Sequence, residues 1–216
     1  AAGTMRIIIK IYAKGKLTSK LARVELGGVL EFSAPEPTLR LRPSIGLPGS
    51  ESLWSDDVDP GAVAGTGLMA LEEPWSVGMV AGGTGIAPIW QLLQAMSLHP
   101  GTFGGPGCSA RLVYSNRRRE DILLRSELAA LVEEGRSRQG KLDFKLLHTL
   151  TGGEQKPAGW DETTGRIDEA KLVSMLPAPS LRTVVVICGP AGMNETALRI
   201  LRGVGYAEHM LVELEA

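Results

Sequence analysis

Downstream of residue 76, short apolar runs alternate with segments whose apolar residues recur at helical spacing. Few architectures accept that alternation. Parallel strands cannot be joined by a tight turn and need a crossover, for which a helix is the usual solution, so the pattern reads as βαβ units on an open parallel sheet. Residues 77–81, 111–115, 142–147, 183–188 and 210–214 read as five strands. Between them, residues 88–98, 124–134, 168–176 and 192–204 read as helices, the first carrying Ile89, Leu92, Leu93 and Met96 as an apolar stripe.

The segment 35–74 breaks this regularity. It is rich in proline and glycine, holds an acidic cluster over 51–59 and shows no sustained apolar period, so it reads as a long surface connector. Ahead of it, Arg6-Ile-Ile-Ile-Lys-Ile-Tyr12 and Val29-Leu-Glu-Phe32, the latter entered through Gly27-Gly28, read as strands of a short all-β part. The expected division is a first domain with its connector over residues 1–73 and an α/β domain over residues 74–216.

Composition narrows the function classes. With 216 residues, 44% hydrophobic and 22% charged, the chain is long and apolar enough for a packed core, which excludes a disordered chain. Lys+Arg 23 against Asp+Glu 24 gives a net charge of -1, so no polyanion-binding surface is indicated and nucleic acid is not an expected partner. Cys108 and Cys188 form no Cys-x-x-Cys pair and His99, His148 and His209 are scattered, so no disulfide framework and no metal site are expected. No apolar run approaches the ~18 residues that span a bilayer. The expectation is a soluble, cytoplasmic chain with no membrane segment of its own.

In an open α/β sheet, ligands bind where strands turn into helices at their carboxyl ends. Two such turns stand out. Ala81-Gly82-Gly83-Thr84-Gly85-Ile86-Ala87-Pro88 follows an apolar strand and leads into an amphipathic helix. Glycines let the backbone turn tightly and approach a phosphate, and the unpaired N–H groups of the helix's first turn then face that anion. Pro88 is read as the first helical residue, where its missing N–H costs nothing. The turn lacks the Gly-x-Gly-x-x-Gly fingerprint, and a glycine-rich connection without a ligand stays open as its plain alternative. The second turn is Cys188-Gly189-Pro190-Ala191-Gly192-Met193. A lone cysteine at a strand end is by itself most often a small buried hydrophobe, but its pairing with the first turn favours a ligand crevice.

These turns, together with Asn116 and Asp121-Ile-Leu-Leu-Arg125 between them, occur in an order and at spacings that resemble the ferredoxin–NADP reductase superfamily. Within it the sequence is similar to the NADH–cytochrome b5 reductase and nitrate reductase flavin-module branch, from about Met5 to its C-terminal end. The resemblance implies a parallel five-stranded Rossmann-like nucleotide domain preceded by part of an antiparallel β-barrel FAD domain. It implies an NAD(P)H-dependent flavin reductase, passing a hydride from NADH or NADPH to FAD and then single electrons to a haem or iron–sulfur acceptor such as cytochrome b5. Carried onto this sequence, Gly82, Gly83, Thr84 and Gly85, followed by Pro88, would face the nucleotide's pyrophosphate and ribose. Cys188 would sit beside the nicotinamide ring, with Gly189, Pro190 and Met193 completing that wall. Ile8, Lys10 and Tyr12 resemble the strand that contacts the flavin, and Gly15-Lys16-Leu17-Thr18 resembles the segment that meets the FAD pyrophosphate.

The sequence departs from the family pattern in two places. It has no Arg-x-Tyr-Ser/Thr motif, which in the family holds the FAD phosphate and packs on the isoalloxazine, so roughly half the barrel is expected to be missing. A non-catalytic NAD(P)-binding or partner-binding module is therefore the alternative expectation. In addition, His148-Thr149-Leu150-Thr151-Gly152-Gly153 stands after the third strand where NADH-selective members carry an acidic residue. Arg117-Arg118-Arg119 follows Asn116, and guanidinium forks there suit a 2′-phosphate, with a solvated basic loop as the alternative.

Overall fold

The computed structural model describes residues 18–25, 75–98, 107–136, 142–153, 158–160 and 162–214. The chain divides into two compact units, Ala1–Arg40 and Leu41–Ala216. In the first, the described residues hold one short helix, α1 (Thr18–Leu21). The strands expected over 6–12 and 29–32, and with them the barrel, lie outside the described residues.

The second unit carries the parallel α/β sheet that the alternation of strands and helices implies. Its described strands are β1 (Ser76–Gly82), β2 (Ser109–Asn116), β3 (Asp143–Leu150), β4 (Thr163–Thr164), β5 (Thr183–Cys188) and β6 (Leu211–Leu214). All pair in parallel, in the order β4-β3-β2-β1-β5-β6. The chain moves outward one way from β1 through β2, β3 and β4, then returns to β1's other side as β5. That reversal is a topological switch point, and it lies between the two strands whose ends carry the glycine turns.

Burial explains why these strands read as near-continuous apolar runs. Every residue of β5 is buried, as is every residue of β1 after Ser76, because helices cover the sheet on both faces. On one face Val80, Val113, Val185 and Ile187 pack with Leu172 of α4 (Glu169–Met175) and with Ala197 and Leu201 of α5 (Ala191–Gly203). The other crossovers are α2 (Ile86–Leu98) and α3 (Arg125–Arg136). Asp168 caps α4, its Oδ1 accepting from the Lys171 backbone N–H at 2.9 Å, which satisfies one of the helix's orphan donors. None of the helices among the described residues is long and apolar enough to cross a membrane.

Three expectations are corrected. The described sheet has a sixth strand, β4, which the periodicity does not reveal because it is only two residues long. It is held as much by side chains as by its ladder: the Thr163 hydroxyl donates to the His148 carbonyl at 2.8 Å and the Thr149 hydroxyl to the Gly165 carbonyl at 2.7 Å. β3 runs on to Leu150, so His148 and Thr149 belong to the strand and only Thr151 to Gly153 follow it. Finally, a 3-10 turn over Gly83–Gly85 precedes α2, which begins at Ile86. Pro88 is thus the third helical residue, not the first; it is tolerated there because the whole first turn lacks intrahelical acceptors.

Candidate functional site

β1 and β5 lie side by side with Ala81 opposite Cys188, so the two glycine turns begin at the same level of the sheet. They touch backbone to backbone. A Cβ built on Gly85 would stand 2.0 Å from the Cys188 carbonyl oxygen, and one on Gly189 would stand 3.0 Å from the Gly82 nitrogen. A Cβ on Gly82 would meet Met193 Sδ at 2.6 Å and Pro190 Cδ at 2.8 Å. These three glycines therefore let one turn seat against the other.

Gly83 plays a different part. Its φ of +55° is the left-handed conformation that favours glycine, and its Cβ position has nothing within 4 Å. Gly192, in the first turn of α5, likewise has nothing within 4 Å. The junction is thus closed beneath, where the turns meet, and bare of side chains at Gly83 and Gly192. The first turns of α2 and α5 both start here. Cys188 lies buried under the junction in no disulfide, and burial pushes its thiol pKa up. Such a thiol contributes shape rather than a nucleophile, which is the thiolate.

A second group forms at the carboxyl ends of β2, β3 and β4. Arg117, Arg118, Arg119, Glu120, Leu150, Gly152, Gly153 and Thr164 line an open cleft of about 160 Å³. The loops after β2 and β3 are stitched together, the Thr151 N–H donating to the Asn116 carbonyl and the Gly152 N–H to that of Arg117, each at 2.8 Å. A Cβ on Gly152 would stand 2.4 Å from the Arg117 carbonyl oxygen, so glycine is required there too. Arg117, Arg118 and Arg119 are exposed, and Arg118 is 3.8 Å from Glu120, a surface pair worth little in water. Asn116 is buried beside the Tyr114 hydroxyl, and its carboxamide makes no well-formed hydrogen bond. A buried amide left in that state is costly unless a ligand or water meets it.

Between the two groups stands a side chain that sequence reasoning missed. Tyr114 of β2 is wholly buried, donates from its hydroxyl to the Gly83 carbonyl at 3.0 Å and accepts from the Leu123 N–H at 3.3 Å. Burial pushes its pKa up to about 12. Its ring lies 5.6 Å from that of His148, which in turn lies 6.1 Å from Trp160. Burial, with Arg125 nearby, pushes His148 down to about 4, and its Nδ1 has no hydrogen-bond partner. The available signal was strand periodicity, which puts Tyr114 and the candidate Asn116 on one face.

The structure thus brings Gly82, Gly83, Thr84, Gly85, Cys188, Gly189, Pro190 and Met193 to one junction, with Pro88 in the helix that leaves it. Asn116, Arg117 and Arg119 stand at the end of β2, along the same edge of the sheet. Ile8, Lys10, Tyr12, Gly15, Lys16 and Leu17 lie outside the described residues, and Thr18 opens α1.

A family model described as an oxidoreductase NAD-binding domain matches residues 79–199, more than half of the chain. The chain belongs to that family. The match spans β1 to α5, so the family's extent holds both glycine turns and the arginine cleft. Among curated relatives, the chain is 31% identical over 212 residues to NADH-cytochrome b5 reductase 1 of Eremothecium gossypii, covering 95% of this chain and 58% of the relative. It is 31% identical over 216 residues to the NADPH nitrate reductase of Emericella nidulans, covering 97% of this chain and 21% of the relative. The cytochrome b5 reductase domain of Ulva prolifera nitrate reductase superposes with a TM-score of 0.55 at 29% identity, over 66% of this chain and 49% of that one. These likenesses bear out the branch resemblance read from the motifs. The chain spans less than three fifths of the first curated relatives it matches.

Two outcomes follow from this geometry. Gly85→Ala forces a Cβ onto the Cys188 carbonyl and should lower stability by about 1–3 kcal/mol in urea unfolding, whereas Gly192→Ala, with open space, should change it by less than about 1 kcal/mol. His148 has a folded pKa of about 4 against 6.5 unfolded, so its neutral burial stabilises fully above pH 6.5, and this contribution is lost as pH falls towards 4. The span is about 3 kcal/mol. His148→Phe, which keeps a ring but cannot titrate, should lose less melting temperature between pH 7 and 5 than the parent.

Proposed function

We propose that residues 74–216 form a nicotinamide-nucleotide domain, and that the protein transfers a hydride from NADH or NADPH to FAD and passes single electrons to a haem or iron–sulfur acceptor of the cytochrome b5 kind. The observation that carries this reading is the junction of the two glycine turns, closed by backbone contact and bare at Gly83 and Gly192. A pyrophosphate fits there because it needs close backbone approach and N–H donors rather than side chains. The buried Asn116 amide, which makes no well-formed hydrogen bond, and the arginine cleft on the same edge fit the adenosine end of the nucleotide. Support also comes from relatives whose names are NADH-cytochrome b5 reductase and nitrate reductase.

On this reading the chain's residues bind and orient. The Gly82–Gly85 turn and the start of α2 hold the pyrophosphate; Cys188, Gly189, Pro190 and Met193 form the wall that sets the nicotinamide ring. Hydride transfer needs the reacting atoms about 3–3.5 Å apart and aligned, so positioning is the main contribution and no side-chain acid or base is required. FAD, when bound, supplies the step from a two-electron hydride to single electrons. Ile8, Lys10, Tyr12 and the segment from Gly15 through Lys16 and Leu17 to Thr18 are the residues assigned to it, on the resemblance alone.

NADPH is the expected nucleotide. Arg117, Arg118 and Arg119 line the cleft where β2, β3 and β4 end and outnumber its one carboxylate, Glu120, and no carboxylate occurs among Thr151, Gly152 and Gly153 after β3. Purified chain given FAD, freed of excess and then exposed anaerobically to NADPH should show a flavin spectrum that bleaches. A colourless protein that still binds NADP⁺ by calorimetry would leave a nucleotide-binding module instead. In the same assay, Arg117→Ala with Arg119→Ala should weaken NADP⁺ at least tenfold, from about 1.5–3 kcal/mol per charge-assisted contact, and NAD⁺ by less than threefold. Equal losses for the two nucleotides would refute the 2′-phosphate assignment.

A further inference from the structure

Tyr114 is out of contact with solvent, yet its hydroxyl touches the turn that faces the open side of the junction. The register of β1 and β2 sets Tyr114 opposite Ala81, the residue before the glycine turn. From there the hydroxyl reaches over the strand end to the Gly83 carbonyl at 3.0 Å. Its second contact fixes the direction of its proton. The Leu123 N–H donates to the same oxygen at 3.3 Å and the Asn116 side chain lies beside it, while the hydroxyl itself donates to Gly83. Leu124, next along, has φ of 56°, a conformation a leucine rarely takes.

The consequence concerns the Gly83 peptide. With φ of +55° and nothing near its Cβ position, Gly83 has no side-chain packing of its own, and its carbonyl is held by two donors, the Ile86 N–H within the 3-10 turn and the Tyr114 hydroxyl. The Thr84 N–H lies in the same peptide plane as that carbonyl and follows its orientation. We propose that Tyr114 is a positioning residue for nucleotide binding, its hydroxyl locking the Gly83 carbonyl so that the turn presents its N–H groups to the pyrophosphate. The inference rests on the nicotinamide-nucleotide reading above and adds a residue to it that contacts no ligand. Because burial keeps the phenol protonated, the lock holds across the physiological pH range.

Tyr114→Phe removes one oxygen and keeps the ring in its place against His148. Full-length parent and variant are titrated with NAD⁺ and NADP⁺ by calorimetry, and their backbone amide spectra are compared without ligand. The expected result is a five- to tenfold weaker affinity for both nucleotides, since they share the pyrophosphate, with amide shifts confined to residues 82–86 and 122–124. Unchanged affinity would overturn the proposal. So would amide changes spread through α4 and α5 together with a lower melting temperature, which would mark a general structural role. A parent that binds neither nucleotide would overturn the nucleotide reading itself and this inference with it. The parent titration separates that failure from the others.

Discussion

Two backbones approach each other at the carboxyl end of the sheet more closely than any side chain allows, and the remaining architecture is arranged around that contact. Gly85 rests against the Cys188 carbonyl at a distance where even a methyl group would collide, and Gly189 sits so close to Gly82 and Met193 that a methyl group would strike the Met193 side chain. The contact exists because β1 and β5 are hydrogen-bonded neighbours in register, Ala81 beside Cys188. That adjacency requires the strand order to reverse at β1, and both following helices must then start from the junction. A parallel sheet with helices on both faces supplies the rigid base, since β1 and β5 are its most deeply buried strands. The glycines are therefore evidence about the space between two strands before they are evidence about a ligand.

Much of this was legible from residue order alone. Apolar alternation located the strands and helices because in a parallel sheet the buried strands are nearly uniform in hydrophobicity and their crossovers are periodic. The turns were legible because glycine and proline act locally. What escaped depends on partners distant in sequence. β4 is two threonine residues whose hydroxyl and ladder bonds reach back to His148, Thr149 and Leu150, and two residues have no periodicity. β3 extends to Leu150 because β2 pairs with it as far as Asn116, and nothing local to residues 148–150 announces that pairing. The group of Tyr114, His148 and Trp160 brings together three elements, and Tyr114 by itself looks like any strand aromatic. The arginines at 117–119 stood out as a basic run, but a cleft around them needs the ends of β2, β3 and β4 together.

The charge at this edge of the sheet has an unusual origin. The titratable groups buried behind it are held in their neutral forms: Cys188 raised by burial, Tyr114 raised to about 12, His148 lowered to about 4. Positive potential therefore comes from peptide N–H groups at the helix starts and from the arginines. An edge built this way attracts an anion without exchanging protons with it. For the proposed hydride transfer this is suitable, because a wall able to donate or accept a proton would add a competing path and a pH dependence that such a transfer does not need. The neutral thiol, phenol and imidazole are then best understood as packing and hydrogen-bonding groups that hold a preset shape. That shape, with the positive charge of the arginines beside it, is what this end of the sheet contributes.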